Sequence, residues 1–145
     1  MIIMDHKALD AALNALVEKK VLLNSLNYDD EKYDEVEDQL HEAEDDFLDA
    51  FGNDLELILE EIHDKHFPES DVLIPTAYLA KNYIPKGVNE DGTTKYSIQA
   101  KEGIEVESDK YKGKKVKLVL LPNPARFIVL VDGKGVEILW QSNHN

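Results

Sequence analysis

The longest regular pattern in the chain is a helical spacing of apolar residues between Asp29 and Phe67. Because an α-helix turns through about 100° per residue, apolar residues three or four positions apart fall on one face. Most of the other positions in this stretch are Asp or Glu. The pattern predicts a helix that packs through one narrow apolar stripe and exposes carboxylates elsewhere. The stripe consists of Tyr33, Val36, Leu40, Ala43, Phe47, Ala50, Phe51, Leu55, Ile58, Leu59 and Ile62.

A shorter helical pattern precedes this stretch and starts beside Asp5, whose carboxylate is a suitable N-cap. Leu9, Leu13 and Leu16 repeat at helical spacing within it. The connection between the two patterns, 26–30, is short and polar. Such a connection indicates antiparallel neighbours, and the N-terminal half is therefore predicted to be a helical hairpin.

Gly52 interrupts the acidic pattern and is followed by Asn53 and Asp54, which are both good N-caps. This combination favours a break, with a third helix from Asp54 to His66. The apolar spacing stays almost in register across Gly52, so one kinked helix is the alternative. Pro68 ends the helical region, because the residue before proline is disfavoured in the helical conformation.

The period of the apolar positions changes to two after Thr93, which is typical of β-strands. Short turn segments separate the runs, so consecutive strands are expected to pair antiparallel as a meander or a small barrel of about five strands. Helices first and strands afterwards indicate an α+β fold. In between, an extended segment and a short helix near Pro75 are expected, with Pro85-Lys86-Gly87 as a turn. The runs lie around 96–98, 104–106, 116–121, 127–131 and 136–140.

The 145 residues are expected to form one integrated domain with three regions. These are an acidic helical region (1–67), a connecting segment (68–92) and an antiparallel β region (93–145). The chain has no cysteine, which excludes disulfides and thiolate chemistry. No apolar run is long enough to span a membrane, and the first residues do not resemble a signal peptide. A cytoplasmic protein is expected.

The net charge of −14 is concentrated in the helical half. Residues 1–71 contain 22 acidic and 5 basic residues, a net of −17, whereas residues 72–145 have a net of +3. This density repels phosphate and disfavours nucleic acid as a partner. It is typical of a solvated helical surface, or else of a surface that binds a basic protein. The acidic candidates for partner binding are Asp29, Asp30, Asp34, Glu35, Asp45, Asp46 and Asp49.

One basic run stands out in the β half, with Tyr111 inside it. Interleaved lysine and tyrosine can bind single-stranded nucleic acid, but a solvated hairpin end is the simpler interpretation. The run supplies further candidates for partner binding: Lys110, Lys112, Lys114 and Lys115.

The residues with most metal-ligand character are Glu60, His63 and His66. Glu60 and His63 have the i, i+3 spacing that di-iron helical bundles use. In a helix this rich in Asp and Glu, a histidine often has an acidic residue nearby by chance. Solvated surface histidines are therefore a simpler interpretation than a metal site. No serine lies in a nucleophile motif and no loop has the pattern of a cofactor site. We therefore predict no cofactor and no catalytic residue, with a metal-dependent enzyme using Glu60 and His63 as the alternative.

The apolar runs of the β region have apolar side chains on both faces. One layer of helices covers only one face of an open sheet, so the other must close into a barrel or meet another subunit. This reasoning predicts a homodimer through the β half, with Val119, Leu121 and Phe127 as candidate contacts.

In layout, the acidic hairpin followed by a β-rich half resembles the bacterial transcript-cleavage factors. The hairpin tip would carry Asp29, Asp30, Asp34 and Glu35, and Gly113-Lys114-Lys115 is the nearest counterpart to that family's Gly-Lys-Lys-x-Gly-Asp motif. The resemblance implies a hairpin that enters an RNA polymerase channel and presents tip carboxylates to a metal ion. It extends to layout and not to motif. The primary expectation remains a non-enzymatic interaction or regulatory module.

Overall fold

The computed structural model describes residues 4–143. Helix α1 spans His6–Ser25 and begins as expected, because the Asp5 carboxylate accepts a hydrogen bond of 3.0 Å from Ala8 N. It ends before Leu26, where the predicted connection starts. Its buried residues are Leu9, Leu13, Leu16 and Val17, which form the face that packs on α2 and the sheet.

Helix α2 spans Tyr33–His66 without interruption, so the predicted break at Gly52 is wrong and the region contains two helices. At 34 residues it is about 51 Å long. A glycine inside a helix costs only about 1 kcal/mol. The apolar stripe on either side, including Phe47 and Leu55, is buried in the same core, and its packing outweighs that cost. The predicted end of the helix, before Pro68, is confirmed.

The segment after α2 is extended and leads into a 3-10 helix, Pro75–Tyr78, in agreement with the expected short helix. The segment 68–74 is called the connecting loop below. It is fixed to α2 by the imidazole of His63 and by the phenol of Tyr78. Leu79 then forms an isolated parallel bridge with Leu120, which brings the chain to the sheet.

Six strands follow and form two antiparallel sheets: β1 (Ile84–Val88), β2 (Thr94–Ser97), β3 (Ile104–Val106), β4 (Val116–Leu121), β5 (Arg126–Val131) and β6 (Lys134–Gln141). β1 and β2 form a separate hairpin, and the other four strands form a meander in the order β3-β4-β5-β6. The α+β class and the antiparallel pairing are confirmed. The small barrel is wrong, because neither sheet is closed.

β1 lies where turn residues and a connecting segment were predicted. Pro85 and Gly87 both disfavour strands, but β1 pairs only with β2, and a register shift between Pro85 and Val88 accommodates them. β1 pairs with another strand on one side only, and this strand was therefore not recognised from its sequence.

Both faces of the four-stranded sheet are partly covered within the protomer, although Val136 and Ile138 on β6 stay about half exposed. Phe127 on one face contacts Tyr78 and Trp140. On the other face, the segment between β2 and β3 crosses the sheet. There Lys101 O accepts a hydrogen bond from Lys117 Nζ at 2.6 Å, and an added Cβ on Gly133, in the turn before β6, would be 2.5 Å from Ala100 Cβ. This cover was not foreseen from sequence, because Lys101-Glu102-Gly103 was predicted only as a turn between strands.

The apolar spacing along the chain predicts fifteen core residues, and twelve of them are buried: Leu9, Leu13, Leu16, Leu40, Phe47, Leu55, Ile58, Ile62, Leu118, Leu120, Phe127 and Val129. The other three are Phe51, Trp140 and Ile138. Phe51 and Trp140 are half-buried. Ile138 is the exception, with 54% of its surface exposed on the last strand. Alternation alone did not show this, because β6 has two register shifts against β5 that change which side chains face the core.

Candidate interaction surfaces

The outer face of α2 is a strongly charged surface. It contains residues at steps of three and four that are all exposed: Asp38, Glu42, Asp46, Asp49, Asn53, Glu56, Leu57, Glu60 and Asp64. In residues 4–143 no carboxylate of α2 takes part in an ion pair, because both ion pairs found there lie in the β half. Asp45 is exposed beside this face, so the structure brings three of the predicted partner-binding residues, Asp45, Asp46 and Asp49, together.

The predicted acidic tip lies in the connection between α1 and α2. Asp29, Asp30, Asp34 and Glu35 are all exposed, and Asp30 accepts a hydrogen bond from Lys32 N. Asp34 and Glu35 belong to the first turn of α2, where carboxylates stabilise the positive end of the helix.

The hairpin is anchored close to this tip. Asn24, one residue before the end of α1, donates its side-chain amide to Lys81 O at 2.9 Å. The layout resemblance implies a hairpin that enters a channel. Here the hairpin lies along the rest of the molecule as far as residue 24.

The basic run is partly neutralised by carboxylates of the β half. Lys110 Nζ lies 3.2 Å from Glu137 Oε2, and Lys114 Nζ lies 3.7 Å from Asp132 Oδ2. The hydrogen bond to Glu137 raises the pKa of Lys110, and the same bond lowers the pKa of Glu137. Tyr111 also donates its hydroxyl to Glu137, so its ring is held against the sheet and not presented to a base.

The metal candidates do not converge. Glu60 lies exposed on the outer face of α2, whereas His63 is buried and His66 is half-buried beside Phe67. Between Met4 and Asn143 there is no group of three or more His, Cys, Asp or Glu side chains placed to hold a metal ion.

His63 has a different role, which the sequence analysis missed. Its Nδ1 lies 2.9 Å from Ser70 O, and its Nε2 lies 2.9 Å from the hydroxyl of Tyr78. A carbonyl only accepts, so in the neutral imidazole Nδ1 carries the proton and Nε2 accepts from Tyr78, which itself accepts from Leu73 N. Both ring nitrogens of His63 therefore help to fix the connecting loop. The position of His63 beside the apolar stripe was the feature of the sequence that could have indicated this buried role.

The dimer candidates Val119, Leu121 and Phe127 are all buried inside the protomer. They are therefore not surface residues on which a second subunit can pack. The exposed apolar residues of the strands lie instead on β1, where Val88 is 73% exposed, and on β6, where Val136 and Ile138 are about half exposed.

Two open clefts were not foreseen from sequence. One, of about 640 Å³, lies between α1 and the turns of both sheets. Its floor is occupied by internal hydrogen bonds, such as Asn123 Nδ2 to Asn14 Oδ1 and Ser142 Oγ to Asp10 Oδ1. The other, of about 770 Å³, lies between the connecting loop and β3.

No protein-family model matches the chain, and comparisons with curated proteins and with solved structures also find no match. Within residues 4–143, no helix has the length and apolar character needed to cross a membrane. Any assignment of function therefore depends on the surfaces described above.

Proposed function

We propose that this protein is a non-enzymatic interaction module that binds a basic protein partner through the outer face of α2. The observation that supports this proposal most directly is the set of exposed carboxylates on that face, which have no cationic partner within residues 4–143. In a purely structural helix, some of them would be expected to pair with lysine or arginine three or four positions away.

The arrangement is costly for the isolated chain. Like charges at i, i+4 destabilise a helix by about 0.2–0.5 kcal/mol per pair. The outer face contains four such pairs: Asp38 with Glu42, Glu42 with Asp46, Glu56 with Glu60, and Glu60 with Asp64. A basic partner relieves this repulsion, so the charge that weakens the free protein strengthens the complex.

An apolar residue lies within the acidic surface. Leu57 is 48% exposed, and with Asn53, Glu56 and Glu60 it lines a shallow depression. Interfaces between proteins combine an apolar centre with a polar rim. Leu57 is suited to be the centre of such a contact, with the neighbouring glutamates at its rim.

A capture experiment with matched variants tests the proposal. The full chain is immobilised and exposed to an extract of its native cells, alongside the variant Asp45→Asn, Asp46→Asn, Asp49→Asn. The control is Asp45→Glu, Asp46→Glu, Asp49→Glu, which retains all three charges on a helix of similar stability. We expect the parent and the glutamate control to retain the same basic protein, and the asparagine variant to bind it about tenfold more weakly.

The comparison of the two variants decides the outcome. Equal retention by the asparagine and glutamate variants would show that the acidic face of α2 is not the binding surface. Loss of binding in both would point to side-chain shape instead of charge. Circular dichroism of each variant verifies that α2 remains folded.

A further inference from the structure

The four-stranded sheet has two edge strands, and they differ in how well they are protected against pairing with a further strand. β6 forms one edge, and its two register shifts against β5 bend its backbone away from a regular pairing geometry. β3 forms the other edge and pairs with β4 in regular register, from Ile104 opposite Leu118 to Val106 opposite Val116. Bulges are a common means of preventing strand addition, and only the edge at β6 has them.

A groove runs along the free edge of β3. One wall is the connecting loop and the other is the segment 104–107, and the enclosed volume is about 770 Å³. One hydrogen bond is found across it, from Glu107 N to Ser70 Oγ at 2.9 Å. The loop itself is held on the α2 side by the His63 and Tyr78 contacts, so the groove is formed before any ligand binds.

The groove offers apolar and acidic contacts together. Leu73 is 39% exposed on the loop wall, and Ile104 is half-buried on the strand wall. Glu69, Asp71, Glu105 and Glu107 are exposed along the two walls, and none of them is in an ion pair within the part of the chain described. Lys112 and Lys114 also line the groove, and Lys114 is already paired with Asp132.

We propose that this groove binds an extended segment of the partner as an added strand beside β3, with Lys or Arg alternating with apolar residues. The sheet edge supplies main-chain hydrogen bonds, and an added strand places every second side chain on the same face. Glu105 and Glu107 are two residues apart, so they face cations that are two residues apart on the ligand. The proposal rests on the proposed function for the basic character of the partner, but it assigns a separate contact surface.

Labelled model peptides test the groove directly. The probe is fluorescein-labelled Lys-Val-Lys-Val-Lys-Val-Lys, with Lys-Pro-Lys-Pro-Lys-Pro-Lys as a control of equal charge that cannot pair as a strand. Affinity for the full chain is measured by fluorescence anisotropy. The groove variant is Glu105→Gln, Glu107→Gln, and its charge-retaining counterpart is Glu105→Asp, Glu107→Asp.

We expect the valine peptide to bind at least about tenfold more tightly than the proline peptide, and the glutamine variant to weaken it about threefold to tenfold. The aspartate variant and the asparagine variant of α2 should each change the affinity by less than about twofold. Equal affinities for the two peptides would overturn the proposal, because the binding would then be a general attraction of a basic peptide to an acidic protein. An equal loss of affinity in the asparagine variant of α2 would overturn it for the same reason. The peptide assay measures binding to the groove, and the capture assay measures binding to the outer face of α2. Either proposal can therefore fail without the other.

Discussion

Helices α1 and α2 lie side by side, yet they are joined to the rest of the molecule by different kinds of contact. α1 makes polar contacts with the β half at four points along its length, through His6, Asp10, Asn14 and Asn24. α2 has one side chain with such a hydrogen bond within residues 4–143, namely His63. Otherwise α2 is held by its apolar stripe.

This difference separates two tasks that charged and polar residues perform. On α1 they are used inside the molecule, where a directional hydrogen bond fixes the position of a turn. On α2 the carboxylates are left in solvent, where they contribute nothing to the position of the helix. The same residue type, aspartate, therefore has opposite effects in the two helices, and substitutions can show it.

The largest effect is expected for Asp10→Ala. Asp10 Oδ1 accepts hydrogen bonds from Ala125 N at 2.9 Å and from Ser142 Oγ at 2.7 Å, and both donors belong to buried residues. Removing the acceptor leaves these donors without that bond, which should lower the free energy of unfolding by about 2–3 kcal/mol. Urea denaturation measures the change.

The matched substitution in the other helix is Asp46→Ala. Asp46 is exposed and lies one turn from Glu42, so its removal relieves repulsion. The free energy of unfolding should stay the same or rise by up to about 1 kcal/mol. Equal losses in the two variants would contradict the comparison between the helices.

Local features of the sequence predicted much of the hairpin. The cap at Asp5, the connection after Ser25 and the end of α2 before Pro68 depend on residues a few positions apart, and all three are confirmed. Gly52 shows the limit of such reasoning, because its local preference opposes the packing of a stripe that extends over the whole helix.

The surfaces were less predictable, because each depends on contacts distant in sequence. The partial cover on one face of the sheet comes from Ala100 and Lys101, and the groove at β3 requires the connecting loop to lie beside a strand more than 30 residues away. Periodicity shows that a side chain has an apolar neighbour, but it does not identify that neighbour. For this reason Val119 and Leu121 looked like dimer contacts and are in fact core residues.

Alkaline pH should lower the stability of the folded protein through its buried phenols, including the one that contacts α2. Burial raises the pKa of Tyr78, whose phenol contacts His63, and burial likewise raises the pKa of Tyr83. The stability from these phenols is fully present below pH about 10, the pKa of tyrosine in the unfolded chain. As pH rises further, the unfolded chain loses phenol protons and the folded protein keeps them. Stability should then fall by up to about 1.4 kcal/mol per pH unit for each phenol.

Urea denaturation between about pH 8 and pH 11 measures this loss. Tyr28→Phe is the control, because Tyr28 is 85% exposed and its phenol is not buried in the folded protein. Tyr78→Phe should be less stable at neutral pH, where His63 and Leu73 lose a partner, but its stability should decline less steeply above pH about 10. A stability that is constant up to pH 11 would contradict the prediction.

Gly52→Ala should stabilise the protein by about 1 kcal/mol. An added Cβ would lie 3.6 Å from Leu48 Cβ and Cδ2, which is an ordinary van der Waals distance, and alanine has the higher helix propensity. Gly103→Ala is the contrasting variant, because its Cβ would lie 3.0 Å from Leu118 O at a φ of +92° and should destabilise. If Gly52→Ala destabilised the protein instead, α2 would need flexibility at this position.

The last effect concerns salt. Repulsion along the outer face of α2 acts in solvent, where ions screen it, so raising NaCl from about 0.02 to about 0.5 M should increase the melting temperature. The gain should correspond to no more than about 1–2 kcal/mol, the summed cost of four like-charge pairs. The two ion pairs of the β half are exposed, so their screening should oppose this gain only slightly. Replacing Asp46 and Glu60 by their amides should flatten the salt dependence, whereas Asp46→Glu with Glu60→Asp should preserve it. A melting temperature that falls with salt would show that favourable charge pairs, and not repulsion on α2, dominate the electrostatics of the folded protein.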